Sequence, residues 1–128
     1  MTPYYANIEQ ETLNNTNFRK VLYTGTHTQL VVMSLNAGEE IGMEVHPAVD
    51  QFFRIEQGTA RFTVDGQTTE LAPDHAFIVP AGSRHNVENI GQDSLKLYTL
   101  YSPPNHPEGT VHVTKADADQ AEAEEPHQ

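Results

Sequence analysis

The chain contains no cysteine and few basic residues. Without cysteine it has no disulfides, no thiolate nucleophile and no cysteine-based zinc site, as is usual in a reducing compartment. Seven Lys and Arg residues face 18 Asp and Glu residues, so the formal net charge is −11. No basic cluster stands out against this charge, which opposes binding to a phosphate backbone. We therefore expect no nucleic-acid partner.

Long apolar runs are also absent. No stretch approaches the roughly 20 apolar residues that a membrane-spanning helix needs. The first ten residues, MTPYYANIEQ, lack the basic segment and apolar stretch of a secretory signal. These absences predict a cytoplasmic protein without a membrane partner.

What the sequence does contain is a regular series of short apolar runs separated by turn residues. The 128 residues have the length of one domain, and 8 Gly and 8 Pro recur between the runs. About eight strands at even spacing favour an all-β sandwich or barrel, which we place at residues 1–114. The predicted strands are 18–24, 29–35, 50–56, 59–64, 68–71, 76–80, 84–89 and 94–101, with a short extended piece at 44–46.

The two ends of the chain are less regular. Before residue 18, Asn7 followed by Gln10 resembles a helix cap, and an edge strand is an equal alternative. Residues 102–107 read SPPNHP, which is too rich in proline for a paired strand, so we expect an extended segment packed over the barrel. Residues 115–128 have almost nothing to bury and predict a disordered acidic tail or a frayed helix.

Alternation along the strands indicates which side chains face the interior. Gln51 shares a face with Phe53 and Ile55, which places its amide at the entrance of an apolar interior. Glu44 and His46 are two residues apart and project to a common side. The turn at residues 80–82 can bring His85 back beside this group.

Two stretches between residues 38 and 89 together resemble the two sequence motifs of the cupin superfamily. The first motif has a Gly, a His-x-His pair, a Glu and a closing Gly, and its places are taken by Gly38, Glu44-x-His46, Gln51 and Gly58. The places of the second motif are taken by Asp74, Pro80-Ala81-Gly82, His85 and Asn89. The resemblance implies a small single-domain cupin, folded as a double-stranded β-helix or jelly-roll barrel.

The resemblance also implies one divalent metal ion, held by Glu44, His46, Gln51 and His85. Glu44 replaces the family's first His and Gln51 replaces its Glu, so the set still carries one negative charge. Two His and one carboxylate suit iron, manganese, zinc or nickel, with Gln51 as a weak fourth ligand through its carbonyl oxygen. Some cupins that act on uronate sugars resemble this chain in having Gln there. The alternative is a decayed site in a barrel used only for binding or as a scaffold.

Tyr101 is the predicted catalytic residue. If the Leu face of the last strand is inward, Thr99 and Tyr101 point to the pocket mouth, where Tyr101 can position or protonate a substrate oxygen. Packing beneath the proline segment is an equal alternative. The remaining histidines are predicted not to be ligands, although two of them flank residues 107–109 and can approach a pocket or a partner subunit. These histidines are His27, His75 and His127, and the flanking pair His106 and His112.

Three functions remain open. A metal-dependent isomerase or lyase acting on a small sugar-like or carbonyl substrate is implied by the resemblance, the alternatives being a non-haem iron dioxygenase and a non-catalytic small-molecule binder. No inward Lys and no inward Arg pair are evident on the assigned strand faces, because Arg54, Arg61 and Arg84 fall on outward or turn positions. Their placement argues against a pocket for a phosphosugar. A homodimer formed through an unpaired N-terminal edge strand is expected, chiefly from the resemblance.

Overall fold

The computed structural model describes residues 2–124, which contain nine strands and two helices. In chain order these are α1 (Ile8–Asn14), β1 (Arg19–Thr24), β2 (Gln29–Leu35), β3 (Asp50–Gln57), β4 (Ala60–Val64), β5 (Gln67–Leu71), β6 (Ala76–Val79), β7 (His85–Asn89), β8 (Leu95–Ser102), β9 (Val111–His112) and α2 (Lys115–Glu124). The eight predicted strands are confirmed to within one residue at each end. The two-residue strand β9 was not predicted.

The strands form two antiparallel sheets. One has six strands in the order β6-β3-β8-β2-β1-β9, and the other has three in the order β5-β4-β7. This arrangement confirms the all-β jelly-roll prediction. Neighbours in the sheets are often distant in sequence, so β1 lies beside β9 and β3 beside β8.

The apolar core lies between the sheets. On β3, Gln51, Phe53 and Ile55 are buried, which confirms the predicted inner face. The Phe53 ring contacts Phe62 of β4 edge-on at 4.9 Å between centroids, and Phe62 stacks on Phe77 at 4.6 Å. Burial of these large side chains is the main contribution to the stability of the barrel.

The structure explains why two positions of the sequence motifs are glycine. Gly58 has φ +92°, and a Cβ there would lie 3.0 Å from the carbonyl oxygen of Ser94, so a side chain would strain the turn after β3. Gly82 has φ +85° in the turn before β7, and its N–H donates to the carbonyl of His46 at 2.9 Å. The second glycine therefore helps to hold a candidate ligand segment in place.

The N-terminal segment is helical. Asn7 caps α1, because its side-chain oxygen accepts a hydrogen bond from the N–H of Gln10 at 3.1 Å, so the edge-strand alternative is wrong. In addition, Arg19 and Lys20 of β1 pair with both β2 and β9. The unpaired N-terminal edge expected for dimerisation is thus missing from residues 2–124. The homodimer stays a prediction that sedimentation equilibrium would test.

The C-terminal segments fold against the barrel. Gln29 holds the proline segment, because its Oε1 accepts from the N–H groups of Asn105 and His106 at 3.0 and 2.9 Å. Residues 115–124 form α2, with Ala118 buried, so the expectation of disorder is corrected there. Residues 125–128, with His127, lie outside the described residues. Within residues 2–124, neither helix has the length and apolar character needed to cross a membrane.

Candidate metal centre

Glu44 and His46 lie on a short extended piece between β2 and β3, held by backbone hydrogen bonds. The N–H of Glu44 donates to the carbonyl of His85 at 2.8 Å, and the N–H of His85 donates to the carbonyl of Glu44 at 2.9 Å. Together with the hydrogen bond from the N–H of Gly82 to the carbonyl of His46, these contacts join Glu44 and His46 to the start of β7. The predicted turn does bring His85 beside the first group.

The three side chains converge on one point. Ligand atoms from Glu44, His46 and His85 all lie within 4.8 Å of one another. The distance from His46 Nε2 to Glu44 Oε1 is 3.8 Å, and the two imidazole centroids are 5.5 Å apart. This Glu-His-His cluster could hold a metal ion.

Unpartnered buried atoms show that the cluster fits a cation. In the part of the chain that the structure describes, His46 Nε2, His85 Nε2 and Gln51 Oε1 are buried and have no hydrogen-bond partner. Gln51 is fixed from its other end, because its Nε2 donates to Thr99 Oγ1 at 3.0 Å. Leaving such atoms unsatisfied costs about 1–3 kcal/mol each, and a bound cation would satisfy all three.

The tautomer of His85 is set by its backbone neighbour. His85 Nδ1 lies 3.1 Å from the carbonyl oxygen of Ser83. Because a carbonyl oxygen only accepts hydrogen bonds, Nδ1 carries the proton and Nε2 keeps its lone pair. A hydrogen bond of this kind orients a metal-binding imidazole.

Burial sets the protonation of all three residues. It lowers the pKa of His46 to about 4, with His85 and Arg19 acting in the same direction, and it also lowers the pKa of His85. Both imidazoles are therefore neutral at physiological pH. Burial raises the pKa of Glu44 to about 7, against the opposing charge of Arg19, so near neutral pH this carboxyl is partly protonated, and a cation would displace that proton.

A cavity of about 740 Å³ opens beside the cluster. One wall, which we call the strand wall, is the segment 43–49, with Glu44 and His46. The opposite wall, which we call the C-terminal wall, consists of residues 104–107, His112, and Ala118 and Glu122 of α2. A volume of this order suits a small-molecule ligand.

Comparison with known proteins identifies the family of the chain. The family model described as "Cupin domain" matches residues 31–101. The chain belongs to the cupin family. The cupin is 51% identical over 126 residues to the protein YrkC of Bacillus subtilis. The matched region covers 94% of this chain and 68% of YrkC.

Two further similarities place the cupin among its relatives. The crystal structure of BH2720 from Bacillus halodurans superposes with a TM-score of 0.91 at 46% identity, covering 93% of this chain and 95% of that one. The tetracenomycin polyketide synthase protein TcmJ of Streptomyces glaucescens is 30% identical over 71 residues, which are 56% of this chain and 48% of TcmJ.

Tyr101 lies beneath the proline segment, on the inner face of β8. It is 1% exposed, and its hydroxyl is 3.2 Å from His106 Nε2. Its ring centroid is 5.9 Å from that of His46. Burial raises the pKa of Tyr101 to about 12, although Arg19 and Gln51 act in the opposite direction, so the hydroxyl keeps its proton. Its catalytic role stays a prediction.

His106 and His112 both line the cavity of the cupin. The sequence had allowed them to approach either a pocket or a partner subunit. The Glu-His-His cluster found among residues 2–124 includes neither of them. Burial lowers the pKa of His106 to about 3, with Arg19 and His112 acting in the same direction, so its imidazole is neutral. Tyr101 and His106 therefore form a neutral hydrogen-bonded pair, of which His106 lines the cavity.

Arg19 is the site residue that sequence reasoning missed. It is 4% exposed and lines the cavity, whereas Arg54 and Arg61 pair on the outside with Asp74 and Glu70 at 3.0 and 3.8 Å. The signal was present, since Arg19 and the apolar Val21 are two apart on β1 and both are buried. The cavity thus contains an inward cation, although not a pair.

Proposed function

We propose that this cupin binds one divalent metal ion through Glu44, His46 and His85, with Gln51 Oε1 as a fourth ligand. The observation that carries the proposal is the convergence of ligand atoms from Glu44, His46 and His85 within 4.8 Å of one another, with the Nε2 atoms of both histidines buried and without a hydrogen-bond partner among the described residues. Two imidazole nitrogens and a carboxylate suit iron, manganese, zinc or nickel.

We further propose an isomerase or lyase reaction on a small sugar-like or carbonyl substrate in the adjacent cavity. When bound, the metal would supply a Lewis acid for a carbonyl or enediolate oxygen. Tyr101 keeps its proton and is hydrogen-bonded to His106, which lines the cavity, so the pair can pass a proton to a substrate oxygen through the imidazole: Tyr101 gives its proton to Nε2 and the ring releases one from Nδ1. The similarity to TcmJ, a polyketide synthase protein by name, supports a carbonyl-bearing substrate.

A second candidate is a non-haem iron dioxygenase. The observation that favours it is the donor set of two His and one carboxylate, which in iron oxygenases leaves coordination positions open for oxygen and substrate. The two reactions differ in their need for oxygen. An isomerase or lyase works without consuming it.

The metal content of anaerobically purified protein tests the first part of the proposal. We expect near-stoichiometric metal by elemental mass spectrometry in the native protein, and its loss in the double variant His46→Ala, His85→Ala. The matched control is His27→Ala, His75→Ala, which removes two exposed histidines outside the cluster and should keep the metal. A native protein that stays metal-free when supplied with iron, manganese, zinc and nickel in turn would contradict the proposal.

The reaction class is tested with the metal-loaded protein, using glucuronate and acetylacetone as probes. An isomerase or lyase should exchange a carbon-bound hydrogen for deuterium from D₂O without oxygen, which NMR detects, and Tyr101→Phe should slow this exchange. Oxygen uptake that depends on ferrous iron would favour the dioxygenase instead. Binding of a probe without turnover under any metal would favour the non-catalytic binder.

A further inference from the structure

Arg19 is the charged group of the cavity that the proposed metal site does not use. Its guanidinium is permanently protonated, yet the side chain is 4% exposed and lines the cavity. A buried charge is costly unless it is paired and hydrogen-bonded. A buried Arg19 is therefore expected to have a negatively charged partner.

The chain itself provides weak compensation for this charge. One guanidinium nitrogen, Nη1, lies 3.2 Å from His112 Nδ1, and the group lies 5.3 Å from the ring centroid of Phe18. The guanidinium also hydrogen-bonds the neutral Tyr101 hydroxyl, and the Glu44 carboxyl acts on it from beyond ion-pair distance. Arg19 Nε is buried without a hydrogen-bond partner among the described residues. None of the ion pairs formed within residues 2–124 includes Arg19, so no carboxylate oxygen there lies within 4.0 Å of it.

We propose that the cavity takes a small anionic ligand whose carboxylate pairs with the Arg19 guanidinium. A second oxygen function of the same molecule would face the Glu-His-His cluster, and this half of the inference rests on the proposed function. The fork of the guanidinium matches a carboxylate in two parallel hydrogen bonds, and Nε is the donor left free for one of them. The substrate class is thus a carboxylate-bearing sugar acid or carbonyl acid.

The charges around the cavity agree with an anion. With a divalent cation in the cluster, the cation and Arg19 together outweigh the two carboxylates that line the cavity, Glu44 and Glu122. Lys115, at the start of α2, is paired with Asp119 and adds no net charge near this wall. The cavity can therefore attract an anion although the whole chain carries a net charge of −11.

The rival explanation is structural: through His112, Arg19 could simply fasten β9 to β1. The two roles differ in one measurable property. If Arg19 only links β9 to β1, its replacement changes the folding stability and leaves the preference of the cavity for an anionic over a neutral ligand unchanged. A ligand-binding role changes this preference directly.

Isothermal titration of the metal-free and metal-loaded protein with succinate, malonate and the uncharged succinamide tests the proposal. The native protein should bind the dicarboxylates in preference to the diamide. Arg19→Gln should weaken dicarboxylate binding about 10- to 100-fold and leave diamide binding unchanged. The matched control is Lys20→Gln, which removes the exposed cation next in the chain and should bind as the native protein does.

The proposal is overturned if the native protein shows no preference for the dicarboxylates, or if Arg19→Gln is folded and binds succinate with native affinity. If Arg19→Gln does not fold, Arg19→Lys decides, because a lysine cannot form the paired hydrogen bonds and should lose at least about threefold in succinate affinity. Native affinity in Arg19→Lys would then refute the proposal.

Metal content separates the failure of this inference from that of the proposed function. Arg19 is not a proposed ligand, so Arg19→Gln should carry as much metal as the native protein. Stoichiometric metal with succinate binding independent of Arg19 would refute only the anion site. Succinate binding that depends on Arg19 in a protein unable to hold metal would refute only the metal site.

Discussion

The two walls of the cavity are built differently. The strand wall is tied to β7 by reciprocal backbone hydrogen bonds between Glu44 and His85, and it adjoins the buried Gln51 of β3. In the C-terminal wall, His112 is held by the pairing of β9 with β1, whereas the proline segment is held by side-chain hydrogen bonds from Gln29. The candidate ligands Glu44 and His46, which need accurate placement, lie on a segment that is fixed along its backbone.

The elements that adjoin the walls also differ in packing. None of residues 43–49 is itself buried, but β3, which follows them, contributes three buried residues to the barrel, whereas α2 contributes one, Ala118. The N-terminal end of α2 is stabilised locally, by a hydrogen bond from the N–H of Asp117 to Thr114 Oγ1 and by an ion pair between Lys115 and Asp119 at 2.6 Å. Elements with few buried contacts open at lower free energy, so a ligand can alter α2 without disturbing the metal ligands.

The largest expected effect concerns the barrel. Replacing Phe62 by Ala removes a fully buried ring that contacts Phe53 and Phe77, and should lower the free energy of unfolding by about 3–5 kcal/mol. Urea unfolding followed by circular dichroism measures this loss. A loss below about 1 kcal/mol would mean that the barrel is not the more stable part of the molecule.

The second effect separates the walls by metal affinity. His46→Ala, on the strand wall, removes a candidate ligand atom and should weaken metal binding by more than about 100-fold, because loss of a supporting outer residue alone typically costs 10- to 100-fold. Glu122→Gln, on the C-terminal wall, should change the affinity by less than about threefold, since Glu122 lies outside the cluster. Competition against a chelator measures both, and equal losses would show that both walls hold the metal.

The third effect is a pH dependence that arises from the strand wall. Because the pKa of Glu44 is about 7, a metal ion must displace its proton at lower pH, so the apparent affinity should rise about tenfold per pH unit up to neutrality and level off above pH 8. His46, with a pKa of about 4, adds nothing in this range. Chelator competition from pH 5.5 to 8.5 should show one released proton, and a flat profile would contradict this assignment.

The same raised pKa has a consequence for the metal-free protein. Between the ordinary pKa of Glu44 and its folded value of about 7, the folded state binds more protons than the unfolded state. Its stability should therefore fall as the pH rises through this window. Glu44→Gln removes the titrating group and should abolish both the falling stability and the pH dependence of metal affinity.

The smallest effect concerns the C-terminal wall. Ending the chain after Thr114 removes α2 with its single buried side chain, and should lower the unfolding free energy by about 1 kcal/mol. Metal affinity should stay within about threefold of the native value, since the cluster is intact. Urea unfolding and chelator competition check both values, and a loss as large as that of Phe62→Ala would show that α2 belongs to the core.

Sequence reasoning succeeded where the signal is local. The strands followed from alternation and turn residues, and Glu44 with His46 followed from a spacing of two residues. At both helices it left a helix as one of two alternatives, for the same reason. Helix α1 buries only Thr12 and α2 only Ala118, so neither has the apolar periodicity that identifies a helix, and only the cap at Asn7 indicated α1.

The sequence by itself determined the barrel, because alternation and turn residues repeat over a few residues, and the resemblance of residues 38–89 to the cupin motifs supplied the set of candidate ligands. Only the tertiary structure decided what faces those ligands. Arg19 and His112 are 93 residues apart and meet because β1 pairs with β9, and α2 reaches the cavity only once that pairing exists. No short pattern encodes such contacts, since they arise from the order of strands in the sheet.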